Sequence, residues 1–154
     1  MQSKRSGYVT TFIVALVFMG LLSTPLRRYQ TEAAGEQEFV LHTSMENIGT
    51  AYRKLRRTAL VLDRSAESLA LLAVMQENAL IAMGQVPERA ATVAGNRRGK
   101  FILAFKRKML ELIGAMLDVE EALLDGDHVR AGKAVRQLGF IRKGGHEQFQ
   151  MEED

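Results

Sequence analysis

Along most of this chain, apolar residues recur at alternating steps of four and three, a spacing that admits little besides packed helices. Leu41, Met45, Ile48, Tyr52, Leu55, Ala59 and Leu62 trace the first such seam. At 3.6 residues per turn these positions share one face, so the seam predicts an amphipathic helix over 38–62 with one side in a bundle core. Arg53, Lys54, Arg56 and Arg57 fall off the seam and are expected to face water.

Three more helices follow. The second begins near Ser65, expected as its N-cap, with Glu67 in the first turn, where an acid suits the helix dipole. Its buried stripe is Leu69, Leu72, Met75 or Gln76, Ala79 and Met83, and Gly84 and Pro87 end it. The stretch 87–99 is the longest connection. In it Gly95, Asn96, Arg97, Arg98 and Gly99 read as loop, while Ala90, Ala91 and Ala94 leave room for a helical turn. The third helix is expected over 100–124, with Phe101, Phe105, Met109, Leu112, Met116 and Val119 or Leu123 on its apolar face. Asp125 and Gly126 form a tight turn. Asp127 then caps a fourth helix that runs through Val129, Val135, Leu138, Ile141, Gly145 or His146, and Phe149. Short turns force antiparallel neighbours. The expected fold is therefore all-α, an antiparallel up-down-up-down four-helix bundle preceded by an N-terminal signal or anchor segment.

That segment carries Lys4 and Arg5 ahead of an apolar run from Val9 to Leu22, the charge and hydropathy order of an export signal. Leu21, Leu22 and Pro25 spoil a small-x-small cleavage site near Ser23, and Ala33, Ala34 and Gly35 offer a later one. The segment is either a cleaved signal or an uncleaved membrane anchor. Both alternatives put the domain outside the cytoplasmic membrane, in the periplasm. The expected division is a leader over 1–34, a helical domain over 35–150 and an acidic tail over 151–154 that frays.

Composition removes several function classes. There is no cysteine, which excludes disulfides, thiolate nucleophiles, iron-sulfur clusters and covalent haem attachment through thioethers. The net charge of +3 comes from the leader, since residues 34–154 hold 17 basic and 17 acidic side chains. A neutral domain lacks the basic excess of a nucleic-acid binder. No Gly-rich phosphate loop, His-Glu-x-x-His or nucleophile elbow occurs, and the Glu-x-x-His pairs of di-iron bundles are missing. With three histidines and dispersed acids, no enzyme activity and no small-molecule substrate are expected.

Two residues far apart in sequence carry the functional expectation. Met45 lies about two turns into the first helix and His146 about two turns from the end of the fourth. In an up-down-up-down bundle these positions share one end at matching depth. A thioether and an imidazole facing each other there can ligate one haem iron from both sides. Phe101, Phe105 and Met109 would wall the slot, with Ala79 and Met83 opposite, and Arg142 stands one turn before His146 on the same face. His42, three residues before Met45, is the alternative ligand from the first helix.

This arrangement resembles the soluble cytochrome b562 family, over roughly residues 39–150. The resemblance rests on a Met early in the first helix (Met45), a His near the end of the fourth (His146), and an Arg four residues before it (Arg142). A glycine turn between the third and fourth helices (Gly126), a Met inside the second (Met75) with a proline after it (Pro87), and aromatic residues early in the third (Phe101, Phe105) complete it. It implies one non-covalent haem b, with Met45 and His146 as axial ligands and Arg142, Phe105 and Phe101 around the macrocycle. It also implies single-electron transfer with redox partner proteins that the chain does not identify. The competing class is a haem-free exported helical bundle acting in protein interaction or metal handling. Its mark would be a large apolar patch outside the core, and the helix faces read as balanced, with no such patch expected.

Overall fold

A computed structural model describes residues 23–151, with side chains from residue 35 onward. The apolar run of the leader and the last three residues of the acidic tail lie outside the described residues. The chain divides into two compact units, Met1–Glu36 and Gln37–Asp154. Of the first, only the backbone of the leading helix is described. The contacts below all belong to the second.

The described chain is all-helical, with four α-helices: α1 (Ser23–Thr58), α2 (Ser65–Met83), α3 (Gly95–Leu124) and α4 (His128–Phe149). Single 3-10 turns, Leu62–Arg64 and Glu88–Ala91, interrupt the first two connections. The seam of α1 is buried at Ile48, Tyr52 and Leu55 and continues into Ala59 just past its end, and the four basic residues beside it are exposed. The core continues through Leu72, Met75 and Ala79 of α2, through Phe105, Met109, Leu112, Met116 and Val119 of α3, and through Val135, Leu138 and Ile141 of α4.

Two helices extend past their expected starts. α1 begins 15 residues before the expected Glu38, because 23–37 is rich in Ala, Glu and Gln, good helix formers that carry no apolar stripe. It also stops at Thr58, and Leu62 belongs to the following 3-10 turn, 72% exposed. α3 begins at Gly95, so the five residues expected as loop are helical. The amides of Arg97 and Arg98 bond to the Ala94 carbonyl, and the glycines sit in first turns that are solvated in any case.

The caps also differ in part. Ser65 is the first residue of α2 and not its N-cap: Arg64 holds that place, and Ser65 Oγ donates to the Leu62 carbonyl (3.0 Å). Asp127 does cap α4, accepting from the Arg130 amide at 2.8 Å, after Gly126 turns the chain with φ +70°. Such a φ favours glycine because no Cβ clashes with the backbone. Val129, expected on the buried face of α4, is exposed, since the face is set by Ala131, Val135 and Leu138.

Polar bonds tie the elements together at defined levels. Thr58 Oγ1 accepts from buried Ser68 Oγ (2.8 Å) between the end of α1 and the start of α2. Asn47 Nδ2 donates to Asn78 (3.1 Å), and Gln76 Nε2 to Glu120 (2.7 Å). His128 is half-buried and donates Nδ1–H to the Ala59 carbonyl (3.1 Å). Arg89, in the second 3-10 turn, reaches the carbonyls of Glu147, Gln148 and Gln150 at the end of α4.

The outer faces correct one expectation. Leu103, Leu110, Leu117 and Leu124 lie seven residues apart on α3 and are 48–69% exposed. Val74, Leu80 and Ile81 of α2 are exposed as well. The sequence pattern assigns one buried stripe to each helix. The leucine row lies well away in angle from the stripe through Phe105, Leu112 and Val119, so the core cannot absorb both.

Candidate functional site

The last turns of α4 present Arg142, His146 and Gln150 at intervals of four, neighbours along one helix face. Gly144 and Gly145 precede His146, and the helix runs through both to Phe149. Arg142 Nη1 lies 3.2 Å from His146 Nε2, and His146 Nδ1 lies 2.6 Å from Gln150 Oε1. A guanidinium has only donors, so Nε2 must accept. In this pairing Nδ1–H donates to the Gln150 amide oxygen. Nε2 thus carries a lone pair, the atom a metal would take.

Arg142 is anchored by its surroundings. Its guanidinium carbon lies 5.1 Å from the centroid of the Tyr52 ring on α1, a cation–π distance. Its Nε is buried and has no hydrogen-bond partner among the described residues. Leaving a charged donor unpaired costs more than a bond usually gains, so this nitrogen is a binding capacity left open. Tyr52 in turn donates its hydroxyl to the Val135 carbonyl (3.4 Å).

Gly139 makes room for that ring: a Cβ there would collide with Tyr52 Oη and lie 3.3 Å from Cζ. Gly139→Ala is expected to lower the urea midpoint, because overpacking costs about 1–3 kcal/mol against a helix-propensity gain of about 1 kcal/mol. Gly132→Ala meets only the tip of exposed Leu60 and is expected not to lower it.

An aromatic cluster adjoins the same end of α4. Phe149 packs edge-on against Phe101 (centroids 5.2 Å apart) and Phe105 (5.4 Å). Phe105 and Phe149 are buried, as is Met109, and Phe101 is half-buried against the core.

Met45 is half-buried and packs on the core from α1, seven residues before Tyr52 and so on the same face. His42 is exposed. The structure therefore joins Arg142 to His146 directly, and Phe101 to Phe105 through Phe149. Met45 shares a seam with Tyr52, the residue that carries Arg142. Gln150, Tyr52 and Gly139 were not expected at the site. The four-residue ladder from Arg142 through His146 could have exposed Gln150, whereas nothing in the sequence pairs Gly139 with Tyr52. Among the described residues, no three His, Asp or Glu side chains converge as a metal cluster. No protein-family model and no curated protein matches the chain.

Proposed function

We propose that this chain is an exported b-type cytochrome that holds one non-covalent haem between Met45 and His146 and transfers single electrons to and from partner proteins. It is not proposed to be an enzyme. The observation that carries the reading is the register between α1 and α4. Tyr52 on α1 lies against Gly139 and Leu60, two residues past the end of α1, lies against Gly132, so the chain rises along one element as it descends along the other. Extending this register by seven residues leads to Met45 opposite His146. The same register, with Phe101 beside Phe149 and Thr58 beside Ser68, supports an up-down-up-down course for the four helices. Export rests on the leader, either cleaved or retained as a membrane tether.

The residues present fit haem b. His146 offers the Nε2 lone pair, and Gln150 fixes its tautomer from the far side, as outer partners of metal-bound histidines commonly do. Arg142 would release Nε2 and turn its charge, with the buried Nε, toward a propionate. Met45 would supply the thioether, and Phe101 and Phe105 the apolar walls that exclude water. Haem brings the one-electron iron couple, and a Met/His ligand pair raises its potential relative to two imidazoles.

The test is a hemin titration of the purified full-length chain. The expected result is one equivalent bound with a six-coordinate low-spin spectrum. The sulfur-to-iron band in the far red should be lost in Met45→Ala and kept in His42→Ala. A folded protein that takes up no hemin would overturn the reading.

A second reading has its own observation. The exposed leucine row on α3 is the apolar patch expected of a haem-free interaction protein, and the same titration separates the two.

A further inference from the structure

We propose that the outer face of α3 is a self-association surface, on which a second copy of this chain docks its own α3 in the antiparallel sense. The inference is independent of haem.

Four leucines at a strict seven-residue interval line one face of α3, filling one of the two apolar positions of the heptad by which helices pair, while Lys106, Arg107, Glu120 and Glu121 occupy the other at its two ends. Leu103 to Leu124 spans 22 residues, or about 32 Å of helix. These side chains are exposed and face away from the buried core stripe, so among the described residues the repeat packs against nothing in its own copy.

Charge selects the occupant. Every basic residue of α3 lies in its first half: Arg97, Arg98, Lys100, Lys106, Arg107 and Lys108. Every acidic one lies in its second: Glu111, Asp118, Glu120 and Glu121. This order opposes the helix macrodipole, which favours acids at the N-terminus and bases at the C-terminus. An antiparallel copy reverses the penalty, because each basic half meets an acidic half.

The register is self-complementary about the midpoint between Ile113 and Gly114. Leu103 falls as far before it as Leu124 falls after, and Leu110 as far before as Leu117 after. Lys106 and Arg107 likewise come level with Glu121 and Glu120 of the second copy. In their own chain Glu121 pairs with Arg130, and Glu120 accepts from Gln76. A carboxylate has about four acceptor sites, so each keeps capacity for a second donor.

Gly114 marks the crossing point. It is exposed in mid-helix, and an added Cβ there would meet nothing within 4 Å. No packing among the described residues requires a glycine there, although glycine costs about 1 kcal/mol relative to alanine in a helix. Close approach of a second helix at the two-fold axis favours a small side chain there, a condition that cysteine also meets.

The chain has no native cysteine, so single cysteines report the geometry in the full-length protein, with and without hemin. Under mild oxidation Gly114→Cys is expected to form a covalent dimer, and Gln137→Cys on α4 is not. Leu103→Cys mixed with Leu124→Cys is expected to cross-link at least tenfold faster than Leu103→Cys with itself. Leu110→Lys combined with Leu117→Lys should suppress cross-linking in the Gly114→Cys background, with the helical spectrum unchanged. Faster self-linking of Leu103→Cys would overturn the antiparallel register. No linkage at Gly114 above the Gln137 control would overturn the proposal. So would a leucine face that instead protects these positions only when vesicles of phosphatidylglycerol and phosphatidylethanolamine are added.

Discussion

His146→Ala is expected to leave the helical circular-dichroism spectrum intact and to abolish the six-coordinate low-spin haem spectrum. The helix around position 146 already runs through two glycines, and alanine is a better helix former than either, so the backbone should survive the change. What disappears is the nitrogen lone pair that accepts from Arg142, together with the ring N–H that donates to Gln150. The hemin titration should then give at most a five-coordinate spectrum with weak binding. Gln150→Ala separates ligation from orientation. It keeps the imidazole but frees its tautomer, and losing such an outer partner typically weakens metal binding about 10–100-fold while the coordination spectrum stays the same. If His146→Ala bound hemin with an unchanged spectrum, His146 would not be the ligand.

Leu138→Ala should have the largest effect on folding. Leu138 is fully buried at the centre of α4 and belongs to the single core cluster. Truncating it removes transfer free energy and leaves a cavity, for about 2–5 kcal/mol. A domain of this kind has only about 5–15 kcal/mol in total, so the urea midpoint should fall sharply with little change in slope. Phe140→Ala two positions on provides the contrast: that ring is larger but 69% exposed, and its loss should stay within about 0.5 kcal/mol. Equal effects at the two positions would mean that α4 is rotated about its axis relative to the arrangement described.

Much of the helix pattern was readable because burial follows the 3.6-residue period. Ile48, Leu72, Met109 and Leu138 were all picked out by spacing alone and are all buried. The errors fall where that period carries no information. The polar start of α1 has no stripe to detect. Gly95 and Gly99 look like loop residues, but in a solvated first turn their cost is small. Ser65 has a capping side chain, yet the 3-10 turn before it moves the cap to Arg64. The leucine row of α3 was visible as a spacing. The stripe through Phe105, Leu112 and Val119 is the one the spacing assigns to the core, and a second apolar row on the same helix has no place in a one-stripe reading. At the candidate site, chemistry pointed to Met45, His146 and Arg142 because few side chains can ligate iron or meet a propionate. Tyr52 and Gly139 were hidden because their relation is a contact between α1 and α4, with no local signature in either.

The contact between Arg89 and the end of α4 bears on local opening. The final carbonyls of a helix have no partner within it, and a C-terminal turn ordinarily frays on its own. Here the guanidinium of Arg89 binds three of those carbonyls, from a short 3-10 turn anchored by buried Pro87 and Ala90. The last turn of α4 therefore cannot loosen without detaching the connection between α2 and α3. In native-state hydrogen exchange the two segments should behave as one cooperative unit. The imidazole of His146, one turn from the end of α4, is thereby held at the stability of an internal element.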